Sequence, residues 1–295
     1  MKLITSAQFL KNVEADPSWA AKLSQPVKVT NFCNMEGTAI THLSPLLIFG
    51  GQSIDGTAAS FANCQFLKTA EGVFDGAVYF DHSAITGIGE LAVRQEDRNG
   101  MAASFNGCRR LKEARGTFAG AVRFSESGVA AIADLIITRA TNSGVAAQFI
   151  GCKHLKEAKG TYYGSVNFSE SGVESIGDLQ IMLSDHDGLA ALFEDCKKLR
   201  IARGYYSGFA SFDRSSVSVI EDFVVSRSAD DDCAIPEASF IGCPIRWKEI
   251  KLPCLLAIIK QRYHGIWEAA ADTMVARENV RIKAREALYD PGIEL

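Results

Sequence analysis

Ala147-Gln148-Phe149-Ile150-Gly151-Cys152-Lys153-His154-Leu155-Lys156-Glu157-Ala158-Lys159-Gly160 is the stretch from which the fold is read. Its cysteine recurs as Cys64, Cys108, Cys152, Cys196 and Cys243, at intervals of 44, 44, 44 and 47 residues. The surroundings move with it. Phenylalanine stands three residues earlier (Phe61, Phe105, Phe149, Phe193, Phe240), and leucine three residues later (Leu67, Leu111, Leu155, Leu199), until Arg246 breaks the series. Then come Ala70, Ala114, Ala158 and Ala202, and two residues on Gly72, Gly116, Gly160 and Gly204. An aromatic (Phe74, Phe118, Tyr162, Tyr206), a second glycine (Gly76, Gly120, Gly164, Gly208) and a second aromatic (Phe80, Phe124, Phe168, Phe212) keep the same step. The later half repeats Ile88, Ile132, Ile176 and Ile220, with Leu91, Leu135, Leu179 and Phe223 behind them. Coincidence does not keep so many positions in step, so the chain is an internal repeat.

The unit itself divides. Val129-x-x-Ile132-x-x-Leu135-x-Ile137 reads as a second phrase that starts 20 residues before Phe149, and Val173 follows Phe149 by 24. A 44-residue unit is therefore expected to form two coils of a β-solenoid with parallel strands. Apolar residues two or three apart suit short strands and tight turns, whose inward side chains stack on their counterparts in the next coil. The Gly-x-x-x-Gly frames, Gly116 to Gly120 for one, are read as sharp turns. Glycine at fixed places and frequent β-branched residues weigh against helix. Proline agrees: after Pro45 the next is Pro236, as expected where backbone N–H groups serve inter-coil ladders.

The phrase Ala147-x-Phe149-x-Gly151-Cys152-x-x-Leu155-Lys156 resembles the Phe-x-x-Cys-x-x-Leu core of bacterial surface-antigen-type leucine-rich repeats, over roughly residues 27–245. Repeats of that family are usually about 23 residues long, whereas this chain alternates two unlike coils. The resemblance implies a leucine-rich-repeat-like, right-handed solenoid of parallel strands and a bacterial source.

Three regions are expected: a helical N-cap over 1–26, the repeat solenoid over 27–248 and a helical C-terminal region over 249–295. Ser6 to Leu23 reads as one or two short helices broken near Pro17, with Phe9, Leu10, Val13, Trp19 and Leu23 apolar. Val27-Lys28-Val29 and Leu46-Leu47-Ile48-Phe49 read as a degenerate first unit, with Cys33 off register. After Cys243-Pro244 the periodicity turns helical: Ile259, Tyr263, Ile266, Trp267, Ala270, Met274 and Val275 recur at threes and fours. Tyr263, Ile266, Trp267 and Met274 are candidates for capping the last coil, seating a partner or pairing with another copy of the chain.

The 295 residues are 47% hydrophobic and 22% charged, ordinary globular usage that excludes wholesale disorder. No secretory signal and no apolar run long enough to span a membrane is read. Repeated cysteines beside Phe and Leu read as buried, reduced thiols, so a cytoplasmic setting is expected, in the cell of origin or in a host cell after signal-independent delivery.

The net charge of −4 hides an uneven distribution. A basic ladder follows each cysteine: Arg109, Arg110, Lys112 and Arg115; Lys153, Lys156 and Lys159 with His154; Lys197, Lys198, Arg200 and Arg203. Residues 109–115, 153–159 and 197–203 carry +3, +2 and +4, so the remainder carries −13. Stacked coils would bring these cations into a ribbon, read either as a track for an acidic protein surface or a polyanion, or as a solvated face neutralised by Glu90, Asp134, Asp178 and Asp222. Strand parity points the neighbouring aromatics Phe118, Tyr162 and Tyr206 inward, which removes them as stacking platforms for bases.

Catalytic signals are weak. Asp81-His82-Ser83 consists of sequence neighbours, and a triad is assembled from separated residues. Its serine belongs to the series Ser83, Ser127, Ser171, Ser215, which a turn-forming hydroxyl explains. Asp185-His186-Asp187-Gly188 is too short for a calcium loop, and no cofactor motif is read. The expected function is thus non-enzymatic protein binding as an inhibitor, effector or adaptor. Nucleic-acid or polyanion binding is the alternative, and an enzyme with an unrecognised site is the third. The step from solenoid to binding is an analogy at the level of fold.

Overall fold

The computed structural model describes residues 1–226 and 238–244. Among them strands dominate, and every strand pairing is parallel. One sheet holds Lys2–Ile4, Val27–Val29, Leu47–Phe49, Thr69–Phe74, Gly87–Val93, Glu113–Phe118 and Ala131–Ile137. Another holds Glu157–Tyr163, Ser175–Leu183, Ile201–Ser207 and Val219–Ser226. The third runs unbroken through ten short strands: Cys33–Asn34, Thr57–Ser60, Ala77–Tyr79, Met101–Ser104, Ala121–Arg123, Val145–Gln148, Ser165–Asn167, Leu189–Leu192, Phe209–Ser211 and Ala238–Ser239. From residue 57 onward the chain alternates between a short strand and a strand of the longer kind, so each coil serves both sides. These stacked parallel sheets are compatible with a solenoid-like arrangement.

The coil follows from its side chains. In Thr69–Phe74 burial alternates, with Ala70, Gly72 and Phe74 inside, which is the period of a half-buried strand. Nine of the ten short strands are followed directly by a phenylalanine, and these form one ladder among the described residues: Phe61, Phe80, Phe105, Phe124, Phe149, Phe168, Phe193, Phe212 and Phe240. Neighbouring rings lie 4.9–5.4 Å apart at interplanar angles of 3–12°. Strand spacing of about 4.8 Å sets that separation. Phe74, Phe118 and Tyr206 meet the ladder edge-on at 6.2–6.5 Å, closing the core from the other side.

After each phenylalanine the chain turns, and the residue two positions on takes a left-handed conformation. Gly107, Gly151 and Gly242 supply it without cost, while Asn63, His82, Glu126, Glu170, Asp195 and Arg214 hold φ of 56–59°. The turn closes on cysteine in one coil and serine in the next: Cys108 N donates to Phe105 O at 3.1 Å, and Ser127 N to Phe124 O at 3.1 Å.

This alternation corrects the expected half-unit. The sequence pairs Val129-x-x-Ile132 with Phe149-x-x-Cys152; the structure pairs Phe124-x-x-Ser127 with Phe149-x-x-Cys152, and sets Ala158 opposite Ile176 and Gly160 opposite Leu179. The first unit is also clarified. Cys33 occupies a short strand opposite Ala59, while Met35 and Thr38 take the places of phenylalanine and serine: Cys64 Sγ donates to Met35 O at 3.0 Å and lies 3.6 Å from Thr38 Oγ1.

The glycine frames are not simple turns. Gly116 lies within the strand Glu113–Phe118 at φ +120°, where a side chain would press on the Phe118 ring. Gly120 sits at the corner, where a Cβ would come within 2.6 Å of Gly100 O.

At the N-terminus the strand Lys2–Ile4 pairs with Val27–Val29 ahead of any helix, a pairing the sequence did not suggest. An α-helix spans Ser6–Ala15, with Thr5 and Gln8 in a reciprocal capping box, and a 3-10 turn spans Trp19–Lys22. Phe9 packs edge-on against Trp19 and Phe49. The expected C-terminal helices lie outside the described residues.

Candidate binding surface

The basic ladder runs through the corner after the Phe-x-x-Cys turn and into the strand that follows, which carries Arg115, Lys159 or Arg203. Leu111, Leu155 and Leu199 are fully buried there and anchor it, so the intervening side chains face outward. All eleven ladder residues are exposed except Lys159, which is half-buried.

The structure divides them by partner. Lys153 pairs with Glu170 at 3.7 Å and also donates to the Glu170 carbonyl, in the turn of the next coil. Lys197 bridges Asp195 at 2.8 Å and the Arg214 carbonyl at 2.6 Å. Lys198 meets Glu174 at 3.3 Å, Lys159 meets Glu157 at 3.6 Å, and Arg203 Nε donates to Ile176 O. Hydrogen bonds from Lys197 and Arg214 hold the Asp195 carboxyl below its usual range. By contrast Arg109, Arg110, Lys112, Arg115, Lys156 and Arg200 have no acidic partner among the described residues. Of the expected neutralising partners, Glu90 and Asp178 form no ion pair with the ladder.

Lys68 belongs to the same corner and escaped the sequence reading. It is exposed and has no acidic partner among the described residues, one unit ahead of Lys112. Its unit carries Gln65 and Phe66 where later ones carry Arg, Lys or His, which masked the pattern. The ribbon changes sign at this end, because Glu71 takes the place of Arg115, Lys159 and Arg203. Burial, with the nearby Glu90 charge, pushes the Glu71 carboxyl above its ordinary range, against the influence of His42.

Phe118, Tyr162 and Tyr206 are buried. Tyr162 Oη donates to Lys159 O at 3.0 Å and Tyr206 Oη to Arg203 O at 2.7 Å, which meets the polar demand of both phenols. They offer no platform to a base. The strands carrying Lys159 and Arg203 instead expose an apolar group: Tyr163, 51% exposed, lies opposite Leu183, 52% exposed, with Met182 and Val224 on the same sheet. Earlier units place Asp75 and Ala119 at the Tyr163 position, and Arg94 and Thr138 at the Met182 position. The signal was thus a drift at outward positions, which a search for identities passes over.

The other candidates resolve into structural roles. Asp81 Oδ1 accepts from the Ser104 hydroxyl and the Asn106 N–H, and Ser83 Oγ lies 3.5 Å from Cys108 Sγ. Asp185 Oδ1 accepts from Asp187 N at 3.1 Å and Leu189 N at 2.9 Å, closing its own loop. The six described cysteines are free thiols. Burial pushes Cys33 up to about 12 and Cys108 up to about 11, the latter despite the Ser83 hydroxyl, which opposes the rise. Among the described residues no cluster suited to a metal ion occurs, and no helix is long and apolar enough to cross a membrane. Tyr263, Ile266, Trp267 and Met274 lie outside the described residues. No protein-family model, no curated protein and no solved structure matches the chain.

Proposed function

We propose that the chain is a non-enzymatic protein-binding module that presents its basic corner to an acidic surface of another protein. One observation carries this reading: Lys112, Lys156 and Arg200 stand exposed at equivalent corners of successive units, with no acidic partner among the described residues. A solvated face held together by its own charges would leave fewer such cations free. The exposed apolar pair Tyr163 and Leu183, with Met182 and Val224 exposed on the same sheet, favours a protein over a nucleic acid, since exposed apolar side chains suit protein contacts. Polyanion binding along the ribbon is the second reading and rests on its net positive charge alone. On the same reading the chain is a leucine-rich-repeat-like solenoid of a bacterial protein, its ends covered by helical segments, acting as an inhibitor, effector or adaptor inside a cell. It is supported by the Phe-x-x-Cys-x-x-Leu phrase and by the packing of Phe9 on Phe49.

The test is a nuclease-treated pull-down with the full chain and a Lys112→Glu/Lys156→Glu/Arg200→Glu variant. The expected result is a stoichiometric acidic protein retained by the parent and lost from the variant. Capture that charge reversal leaves unchanged would remove the corner from the mechanism.

A further inference from the structure

The cations that lack an acidic partner among the described residues recur at a fixed interval. Lys68, Lys112, Lys156 and Arg200 occupy one corner of every second coil, and Thr86, Ala130, Glu174 and Ser218 occupy it in the coils that follow them. Backbone bonds hold five of the seven steps of the column in register: Thr86 N donates to Lys68 O at 2.8 Å, Ala130 N to Lys112 O at 2.8 Å and Lys156 N to Ala130 O at 3.3 Å. Glu174 N donates to Lys156 O at 2.8 Å and Ser218 N to Arg200 O at 2.9 Å. Thr86, Ala130 and Ser218 are short, and Glu174 is drawn aside to Lys198. Parallel neighbours lie about 4.8 Å apart, so the cations stand about 9.6 Å apart with little between them.

We propose that this column docks a proline-rich acidic segment in the polyproline II conformation, with a carboxylate at every third residue. The proposal rests on the protein-binding reading above and names the partner's chemistry. A polyproline II helix has three residues per turn and rises about 3.1 Å per residue, so every third side chain returns to the same side after about 9.3 Å. Across the three intervals from Lys68 to Arg200 the mismatch accumulates to about 1 Å, within the reach of a lysine side chain. A β-strand repeats its face every ~6.7 Å and falls out of step at once. An α-helix matches only at seven residues, about 10.5 Å, and drifts by about 3 Å over the column. Phe66, 63% exposed and two residues before Lys68 in the same turn, adds the kind of open aromatic surface on which proline rings dock. A segment already stiff in this conformation loses little freedom on binding, which lets weak exposed ion pairs add up.

Fluorescence anisotropy at low salt tests this with the full chain and a labelled peptide of four Glu-Pro-Pro triplets. The controls are four Glu-Gly-Gly triplets, a peptide of the first composition with its glutamates contiguous, and oligothymidylate. The Glu-Pro-Pro peptide is expected to bind about tenfold tighter than either control peptide. Lys112→Gln/Lys156→Gln should weaken it about tenfold, and Arg98→Gln/Arg139→Gln, away from the corner, less than about twofold. Equal affinity for all three acidic peptides would overturn the spacing argument and leave the acidic-partner reading standing. Binding of none of them would overturn both. Tighter binding of oligothymidylate than of any peptide would overturn both in favour of a polyanion.

Discussion

Two kinds of junction alternate along the stack. Within a unit, Thr69–Phe74 and Gly87–Val93 are in register at five positions, with a bulge between Ala70 and Gly72; Glu157–Tyr163 and Ser175–Leu183 are in register at six. Between units the ladder thins. Gly87–Val93 meets Glu113–Phe118 at two positions, as does Ser175–Leu183 with Ile201–Ser207, while Ala131–Ile137 and Glu157–Tyr163 fall in different sheets. At each thin junction a buried side-chain clasp crosses instead. Ser83, Ser127 and Ser171 reach Cys108, Cys152 and Cys196 at 3.5 Å, and each thiol donates to the phenylalanine carbonyl of the preceding coil at 3.0–3.2 Å. Thr38 and Cys64 make the same crossing at the first unit. Where backbone pairing lapses, polar side chains inside the core take its place, with the short-strand sheet and the phenylalanine ladder continuous past both.

That contrast is open to attack. The largest effect should come from the element common to both junctions: Phe149→Ala should cost about 3–5 kcal/mol by opening a cavity in the ladder, whereas Ile136→Ala on the exposed face should stay within about 0.5 kcal/mol. Urea denaturation compares the two. Next comes the clasp itself. Stacked repeats behave as nearest-neighbour arrays, so Ser127→Ala/Cys152→Ala, at the junction where the sheet is interrupted, should split unfolding into two transitions and cost about 1–3 kcal/mol. Ser83→Ala/Cys108→Ala should cost a similar amount but keep one transition, because two ladder positions remain. Identical single transitions in both would mean that the clasp is incidental. The smallest effect concerns protons. An unperturbed thiol ionises near about 8.5, while Cys108 is pushed up to about 11 in the fold. A raised pKa gives stability that is full below the unfolded value and lost as pH climbs through the folded one. The urea midpoint should therefore decline between those limits, and Cys33, Cys64, Cys108, Cys152 and Cys196 should resist iodoacetamide in the native protein. Rapid alkylation at pH 8 would contradict their burial.

The repeat was legible because its identities are dense, from Phe149-x-x-Cys152 to Gly160. The half-unit was harder to place. Val129-x-x-Ile132-x-x-Leu135 and Phe149-x-x-Cys152-x-x-Leu155 share a spacing of three, so periodicity alone permits the wrong superposition, and only backbone register sets serine against cysteine. The division of the basic ladder was not legible at all. Lys153 finds Glu170 and Lys198 finds Glu174, partners 17 and 24 residues away that come together only when neighbouring coils stack. Strand parity, in contrast, correctly buried Phe118, Tyr162 and Tyr206.

The serine–cysteine clasp gives the chain a parity. A gene rearrangement that removed a single coil would bring two cysteine turns, or two serine turns, into contact. Removing or duplicating two coils restores every pairing. The smallest heritable change in coil number that leaves the core intact is thus two coils, and relatives of different size should differ from this chain by an even number of coils.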